Sequence, residues 1–334
     1  MKQIFLLLVF ISNISHAQLS DFETIDFTKA DNIAKRNADA NLDNLPVLAY
    51  KLTSELTTDV EKFRAIYTWV CDNISGDSNQ YNTVARMRKK FLNDSSALIK
   101  WNNEYKRFAF KKLLKRKKTM CTGYAYLIKE LSFLANLECE IVEGYARSAD
   151  SNVEKLEIPN HSWNAVNLNN KWYLCDATWS SGFMILDNLF IKEYNTGYFL
   201  ADPILFSKSH FPLDKKWLLN DALIQNKYVV GPLVYGETFK HNITPIGPET
   251  MNVEIKKNSE LNFSFQSSKQ IKKNQITLIK MSRNKQNILK IYDIKTESGM
   301  IHFKHLFKQK GQHDVHIKVN NDIVATYIIN VTKI

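Results

Sequence analysis

Three residues of this chain have the types and the order that acyl chemistry needs. Cys121 lies in Thr119-Met120-Cys121-Thr122-Gly123-Tyr124-Ala125, His161 opens His161-Ser162-Trp163-Asn164, and Asp176 lies in Cys175-Asp176-Ala177-Thr178-Trp179. A thiol in the first turn of a helix meets unpaired backbone N–H groups and the positive end of the helix dipole, and both favour the thiolate. An imidazole within reach takes up and returns the proton, and a carboxylate fixes the ring. A solitary cysteine is more often a small buried hydrophobe, and a solitary strand histidine is more often structural. The combination assigns Cys121 as nucleophile, His161 as general base and Asp176 as the residue that orients the base. Acyl transfer also needs donors for the developing oxyanion: the Cys121 N–H is one, with Trp69 or Tyr81 as the second.

The elements that must position these groups follow from periodicity. After Cys121, the residues Tyr124, Ala125, Ile128, Leu131, Ser132 and Ala135 keep a helical spacing, and Phe63, Ile66, Tyr67 and Val70 mark an earlier core helix. Gly123 allows a close approach to the start of the cysteine helix. Residues 161–168 and 171–178 alternate as two strands joined by Asn169-Asn170, a tight-turn signal. Pairing Leu168 with Lys171 places Trp163 opposite Asp176 and His161 opposite Thr178. His161 and Asp176 then share a face as diagonal neighbours, about 7–8 Å apart in the backbone. A slip by one residue would separate them.

The rest of the chain sets bounds on function. Lys2 and the apolar run Ile4 to Ile11, with Ser15 and Ala17 before a cut at Gln18, read as a secretory signal too short to span a membrane. The 334 residues are 44% hydrophobic and 24% charged, which fits about two folded domains. The net charge of +11 is concentrated between Arg86 and Lys118, where 13 Lys or Arg face only Asp94 and Glu104. No nucleic-acid motif accompanies that run, so it reads as a solvated surface or, through Lys111, Lys112, Lys115, Arg116, Lys117 and Lys118, as a rim that draws acidic substrates. Residues 18–49 read as an irregular arm, 50–220 as an α+β catalytic domain, 221–247 as a linker, and 248–334 as a β-sandwich of about seven short strands. Those strands are expected at 251–255, 261–265, 276–279, 288–294, 301–306, 313–319 and 323–331. Among the four cysteines, Cys71 and Cys175 read as packing residues, and Cys139 with Cys175 is the first pair to examine for a disulfide. Separations of 50, 18 and 36 residues leave no closely spaced ligand pair, so no metal is expected.

The blocks around Cys121, His161 and Asp176 resemble those of the transglutaminase-like superfamily in content and order. Phe63 to Ile74, Tyr198-Phe199-Leu200, His210-Phe211-Pro212 and Trp217 are similar to its kyphoscoliosis-peptidase-like branch, which is widespread in secreted bacterial proteins. The resemblance implies a papain-like core, with the cysteine helix packed on an antiparallel sheet, followed by an immunoglobulin-like β-sandwich. It implies no cofactor, and no run of acidic residues suggests calcium. Because water is always at hand and no amine site stands out, hydrolysis of a peptide or amide bond through an acyl-enzyme on Cys121 is the reaction expected, by a cysteine hydrolase or peptidase. The alternatives are acyl transfer from a protein glutamine to an amine and a catalytically silent binding scaffold. The partner expected is a protein or peptide substrate, acidic or associated with the cell envelope, met by a secreted or periplasmic protein.

Overall fold

The computed structural model describes residues 19–149, 151, 155–156, 159–185, 189–220, 223, 225–282 and 285–333. The segment read as an export signal, 1–17, lies outside the described residues. The fold is α+β, with mixed helices and sheets.

Helices dominate the first third. They are α1 (Thr28–Arg36), α2 (Leu45–Thr53), α3 (Asp59–Asn73), α4 (Ser78–Lys90), α5 (Ser95–Arg116) and α6 (Cys121–Leu134). Two short strands, β1 (Ser75–Gly76) and β2 (Lys118–Thr119), pair in parallel between them. The arm expected at 18–49 is mostly ordered helix. Ala30, Ile33 and Ala34 of α1 are buried in the main core, and Asp31 accepts from Arg64 Nε at 2.6 Å, Arg64 Nη2 at 3.0 Å and Thr68 Oγ1 at 3.0 Å. These tertiary partners, which lie on α3, organise a segment that has few apolar residues of its own. The basic run from Arg86 to Lys118 falls on α4 and α5, each started by an aspartate cap, Asp77 and Asp94.

A four-stranded antiparallel sheet follows, ordered β5-β4-β3-β8, from β3 (Cys139–Ala146), β4 (His161–Leu168), β5 (Lys171–Cys175) and β8 (His210–Pro212). Between β5 and β8 lie α7 (Ala177–Ser181), the hairpin of β6 (Gly182–Ile185) and β7 (Leu189–Lys192), and α8 (Pro203–Phe206). Asn169 and Asn170 both have left-handed φ, 54° and 62°, as a two-residue hairpin turn requires. One face of this sheet joins α3 and α6 through Val166, Leu168, Tyr173 and Cys175. The other face forms a second cluster around Trp163, Ala165, Leu174, Phe206 and Phe239.

The remainder comprises α9 (Gln225–Val230), β9 (Leu233–Val234), α10 (Gly236–Lys240), β10 (Ile243–Gly247), β11 (Asn252–Lys256), β12 (Ser259–Ser267), β13 (Ile276–Ser282), β14 (Lys285–Leu289), β15 (Tyr292–Glu297), β16 (Met300–Phe307), β17 (Gly311–Val319) and β18 (Asp322–Thr332). Two sheets, β10-β12-β16-β15 and β11-β18-β17-β13-β14, enclose an apolar core that includes Phe263, Phe303, Val315 and Tyr327. The single strand expected at 288–294 is two strands in different sheets: β14 pairs with β13, and β15 pairs with β16. Continuous alternation hid the corner between them. The stretch 221–247, expected as a linker, places β9 against β18 and β10 against β12. All four cysteines are free and buried, so the pairing considered between Cys139 and Cys175 is not made.

Replacing Asp31 with alanine removes three hydrogen bonds and leaves the buried Arg64 guanidinium without its carboxylate. Urea unfolding should show a loss of about 2 kcal/mol, with the α1–α3 contact loosened. A variant as stable as the parent would show that α1 is held by its apolar face alone.

Candidate active site

The hairpin register brings the acid and the base together. Leu168 pairs with Lys171 and Asn164 with Cys175, and β5 ends there. Asp176 then caps α7, its Oδ1 accepting from the N–H groups of Thr178 at 2.8 Å and Trp179 at 3.2 Å. Its Oδ2 faces two imidazoles: His161 Nε2 at 2.7 Å and His210 Nε2 at 3.1 Å. His210 enters through β8, which pairs with β3 so that Ala146 lies across from it. Its Nδ1 meets Ser209 Oγ at 2.9 Å, and its ring stacks on Phe206 with centroids 4.0 Å apart. Trp179 packs near both imidazoles, 5.2 Å from His161 and 4.6 Å from His210 between centroids.

Cys121 is positioned from the opposite direction. The β1–β2 pair holds the chain just before it, with the N–H of Ser75 donating to Lys117 O and that of Asp77 donating to Thr119 O, both at 2.9 Å. Met120 stands in extended backbone ahead of α6 and supplies no side-chain cap. Gly123 is required here, because a Cβ at that position would lie 1.9 Å from Thr119 Oγ1. Tyr124 ties the helix to its neighbours: its hydroxyl donates to Ile74 O at 2.8 Å and accepts from Ser181 Oγ at 2.9 Å. The first turn of α6 and the last residue of α7 are therefore braced against each other through one phenol.

Electrostatics set the protonation pattern. Burial pushes the Cys121 thiol up, but its hydrogen bond to His161 and that ring's charge, aided by Arg88, outweigh burial and bring it to about 7. Burial pulls His161 down, yet the Asp176 charge and hydrogen bond, together with Cys121, raise it to about 10. Burial disfavours the Asp176 carboxylate, and the two histidines reverse this and hold it well below the usual carboxylate range. For His210 burial wins over Asp176, and its value falls to about 4. His161 therefore carries the proton, and His210 is a neutral donor. With Nε2 on Asp176, His161 has Nδ1 left for the thiol.

The three-membered Cys121–His161–Asp176 unit expected from the sequence needs correction. Among the described residues, the side chains whose ligand atoms converge within 4.8 Å of one another are His161, Asp176 and His210, and Cys121 is outside that set. A second histidine occupies a carboxylate position that sequence reading gave to His161 alone. Peptide or amide hydrolysis through Cys121, and with it the cysteine hydrolase or peptidase assignment, is withdrawn. The site is also closed, with Cys121 5%, His161 7% and Asp176 0% exposed, whereas hydrolysis assumed ready access for water. His, Asp and His are donor types that hold divalent metals. Here both Asp176 oxygens are already occupied, each accepting two hydrogen bonds, so the cluster is built as a hydrogen-bond network.

Other expected roles change as well. Trp69 is fully buried and donates its indole N–H to Asn37 O at 2.7 Å, so that donor is committed elsewhere. Tyr81 is 43% exposed on α4. Of the basic run, Lys112 pairs with the buried Asp77, whereas Arg88 donates to Asn160 O at 2.9 Å, one residue before His161. Lys111, Lys115 and Arg116 are exposed on α5. His210 was read only as part of a resembling block, since nothing near it in sequence points to Asp176.

Residues 46–177 match the profile of the Transglutaminase-like superfamily. The human protein named kyphoscoliosis peptidase is 33% identical over 206 residues, 60% of this chain and 27% of that protein. The Caenorhabditis elegans Lim and transglutaminase domain protein ltd-1 is 25% identical over 233 residues, 65% of this chain and 29% of that protein. The chain thus spans between a quarter and a third of the length of these relatives. Both are animal proteins, so they give no support to the expected placement among secreted bacterial proteins. The Lin-41 filamin domain aligns with 30% of this chain at 9% identity and a TM-score of 0.21, too low to bear on architecture.

The electrostatics give a direct test. Because the Cys121 pKa is lowered, the thiolate fraction rises with pH through about 7, below the ordinary thiol value of about 8.5. Iodoacetamide labelling of the folded protein, read by peptide mass spectrometry, should follow that curve, and His161→Ala should move it to higher pH. Cys71, Cys139 and Cys175, whose thiols burial pushes up, should label only on unfolding. An accessible Cys121 that titrates as an ordinary thiol would refute the ion pair.

Proposed function

We propose that this chain, which belongs to the transglutaminase-like superfamily through residues 46–177, transfers an acyl group from a protein carboxamide to a primary amine. The observation that carries the reading is the Cys121 thiol hydrogen-bonded to His161, whose Nε2 meets Asp176 at 2.7 Å, in a site enclosed by protein. Cys121 supplies the nucleophile and His161 the proton, and Asp176 positions the imidazole from within the network it forms with both histidines. The Cys121 thiolate attacks the carboxamide carbon, and the oxyanion meets the backbone N–H at the start of α6. The C–N bond breaks as ammonia leaves with the proton from His161, and a thioester remains on Cys121. An amine then attacks the thioester carbon and gives its proton to His161. The C–S bond breaks, and the thiolate and imidazolium are restored.

Enclosure favours an amine over water at the second step. A site that excludes bulk water slows loss of the thioester, while an amine carried in with its own apolar side chain reaches it. The half-buried aromatic neighbour Trp179 suits such a side chain. The name of the nematode relative, which includes a transglutaminase domain, agrees with this reading. We read the packing of α6 against β3–β5 as the papain-like arrangement and the two C-terminal sheets as an immunoglobulin-like sandwich. Export through the N-terminal apolar segment, and an anionic protein partner drawn by α4 and α5, complete the proposal.

Incubation with a fluorescent primary amine and a glutamine-containing protein should give labelled product and release ammonia. Cys121→Ser should reduce both to background, and His161→Ala should cost about 10²- to 10⁴-fold. Ammonia release without amine incorporation would defeat the transfer reading. Absence of both, with an unreactive Cys121, would establish a silent scaffold.

The partner is tested separately by reversing the charge of Lys111, Lys115 and Arg116. At low salt, kcat/KM toward an acidic protein substrate should fall. The difference should fade near 0.1 M salt, where screening acts over about 10 Å. A salt dependence identical to the parent's would exclude α5 from the encounter.

A further inference from the structure

His210 has no part in the reaction as written, yet it is built into the site with unusual completeness. It is 1% exposed, shares Asp176 Oδ2 with the base at 3.1 Å, and is anchored at its other nitrogen by Ser209 at 2.9 Å. Two aromatic rings fix its plane, Phe206 at 4.0 Å and Trp179 at 4.6 Å between centroids. Ser209 is held in turn, since its carbonyl accepts from the Arg147 N–H at 2.8 Å and the Tyr228 hydroxyl at 3.3 Å. With the Ser209 hydroxyl donating to Nδ1, the tautomer is set and Nε2–H faces the carboxylate. A packing histidine needs none of this directionality.

Resting on the acyl-transfer reading, we propose that His210 is a positioning residue that limits how tightly Asp176 holds the His161 imidazolium. Asp176 does not need it for orientation, because its Oδ1 is already fixed by two backbone N–H groups. What His210 adds is a second donor on the oxygen that faces His161. A carboxylate oxygen with one donor concentrates its charge on that donor, whereas an oxygen with two divides it. His161 must give its proton to the departing ammonia, and an imidazolium held too tightly is a poor acid. Ser209 and His210 therefore form an outer arm of the network that keeps the base able to release its proton. The charged and titratable groups around His161 in this account are Cys121 on α6, Asp176 before α7, His210 on β8 and Arg88 on α4.

Four proteins test this: the parent, His210→Phe, His210→Gln and Ser209→Ala. Each is measured for the pH at which the His161 imidazolium loses its proton, read by NMR of its ring, and for kcat of amine incorporation. His210→Phe keeps an aromatic ring but removes the donor. Its His161 midpoint should move about one pH unit higher while kcat falls about tenfold. His210→Gln, whose carboxamide restores an N–H, should recover most of both. Ser209→Ala, which preserves the packing, should shift both in the same direction as His210→Phe by a smaller amount, and it carries the test if the phenylalanine variant does not fold. A purely structural histidine would lower activity with an unchanged or lower His161 midpoint, and that result overturns the proposal. An ordinary thiol profile in the parent overturns the acyl-transfer reading as well, so the two failures are told apart by the parent alone.

Discussion

One carboxylate organises this protein. Asp176 is fully buried and ionised, a state whose desolvation cost is several kcal/mol unless each oxygen finds donors. Two donors are local, in the backbone of α7, and two come from other strands, His161 on β4 and His210 on β8. None of these elements provides the set by itself. The hairpin, the short helix and the edge strand must arrive together, because a partial assembly leaves a charge in apolar surroundings. Folding of this region is accordingly expected to be cooperative about the same atom that aligns the base.

The chemistry inherits its order from that requirement. From Cys121 outward, a thiol shifted toward the thiolate, an imidazolium, a carboxylate and a neutral imidazole follow one another, each stabilising the next. The aromatic cluster around Trp163, Trp179 and Phe206 keeps the dielectric low, which strengthens every link in the row. The Tyr124 hydroxyl, shared between Ile74 and Ser181, keeps the thiol end and the carboxylate end from drifting apart.

Local signals were legible in the sequence, and long-range partnerships were not. The Asn169-Asn170 turn and strict alternation made the β4–β5 register readable, and with it the meeting of His161 and Asp176. The start of α6 at Cys121 was readable from periodicity and the residues before it. His210 was beyond reach because its role depends on β8 pairing with β3, a contact with no local sequence code. The same limit explains α1, whose apolar residues are few and whose ordering comes from Arg64 on another helix. The corner between β14 and β15 was hidden because period-two alternation says nothing about which sheet a strand joins. The disulfide considered between Cys139 and Cys175 rested on compartment and strand placement, and both thiols remain free.

Arg147, at the end of β3, links this site to the C-terminal sheets in a way that bears on mechanics. Arg147 is 1% exposed, and its guanidinium donates to Pro232 O at 3.0 Å, Gly231 O at 2.7 Å and Met251 Sδ at 3.8 Å, while Nε has no partner among the described residues. Its own backbone N–H grips Ser209, the neighbour of His210. A buried cation held by neutral acceptors regains hydration when the seam parts, so the Arg147 contacts offset less of the cost of opening than a paired charge would. Arg147 thus joins Tyr228, which donates to Tyr145 O and Ser209 O, and Asn195, which donates to Gly236 O, in a set of neutral ties that run from the C-terminal segments to the outer arm of the Asp176 network.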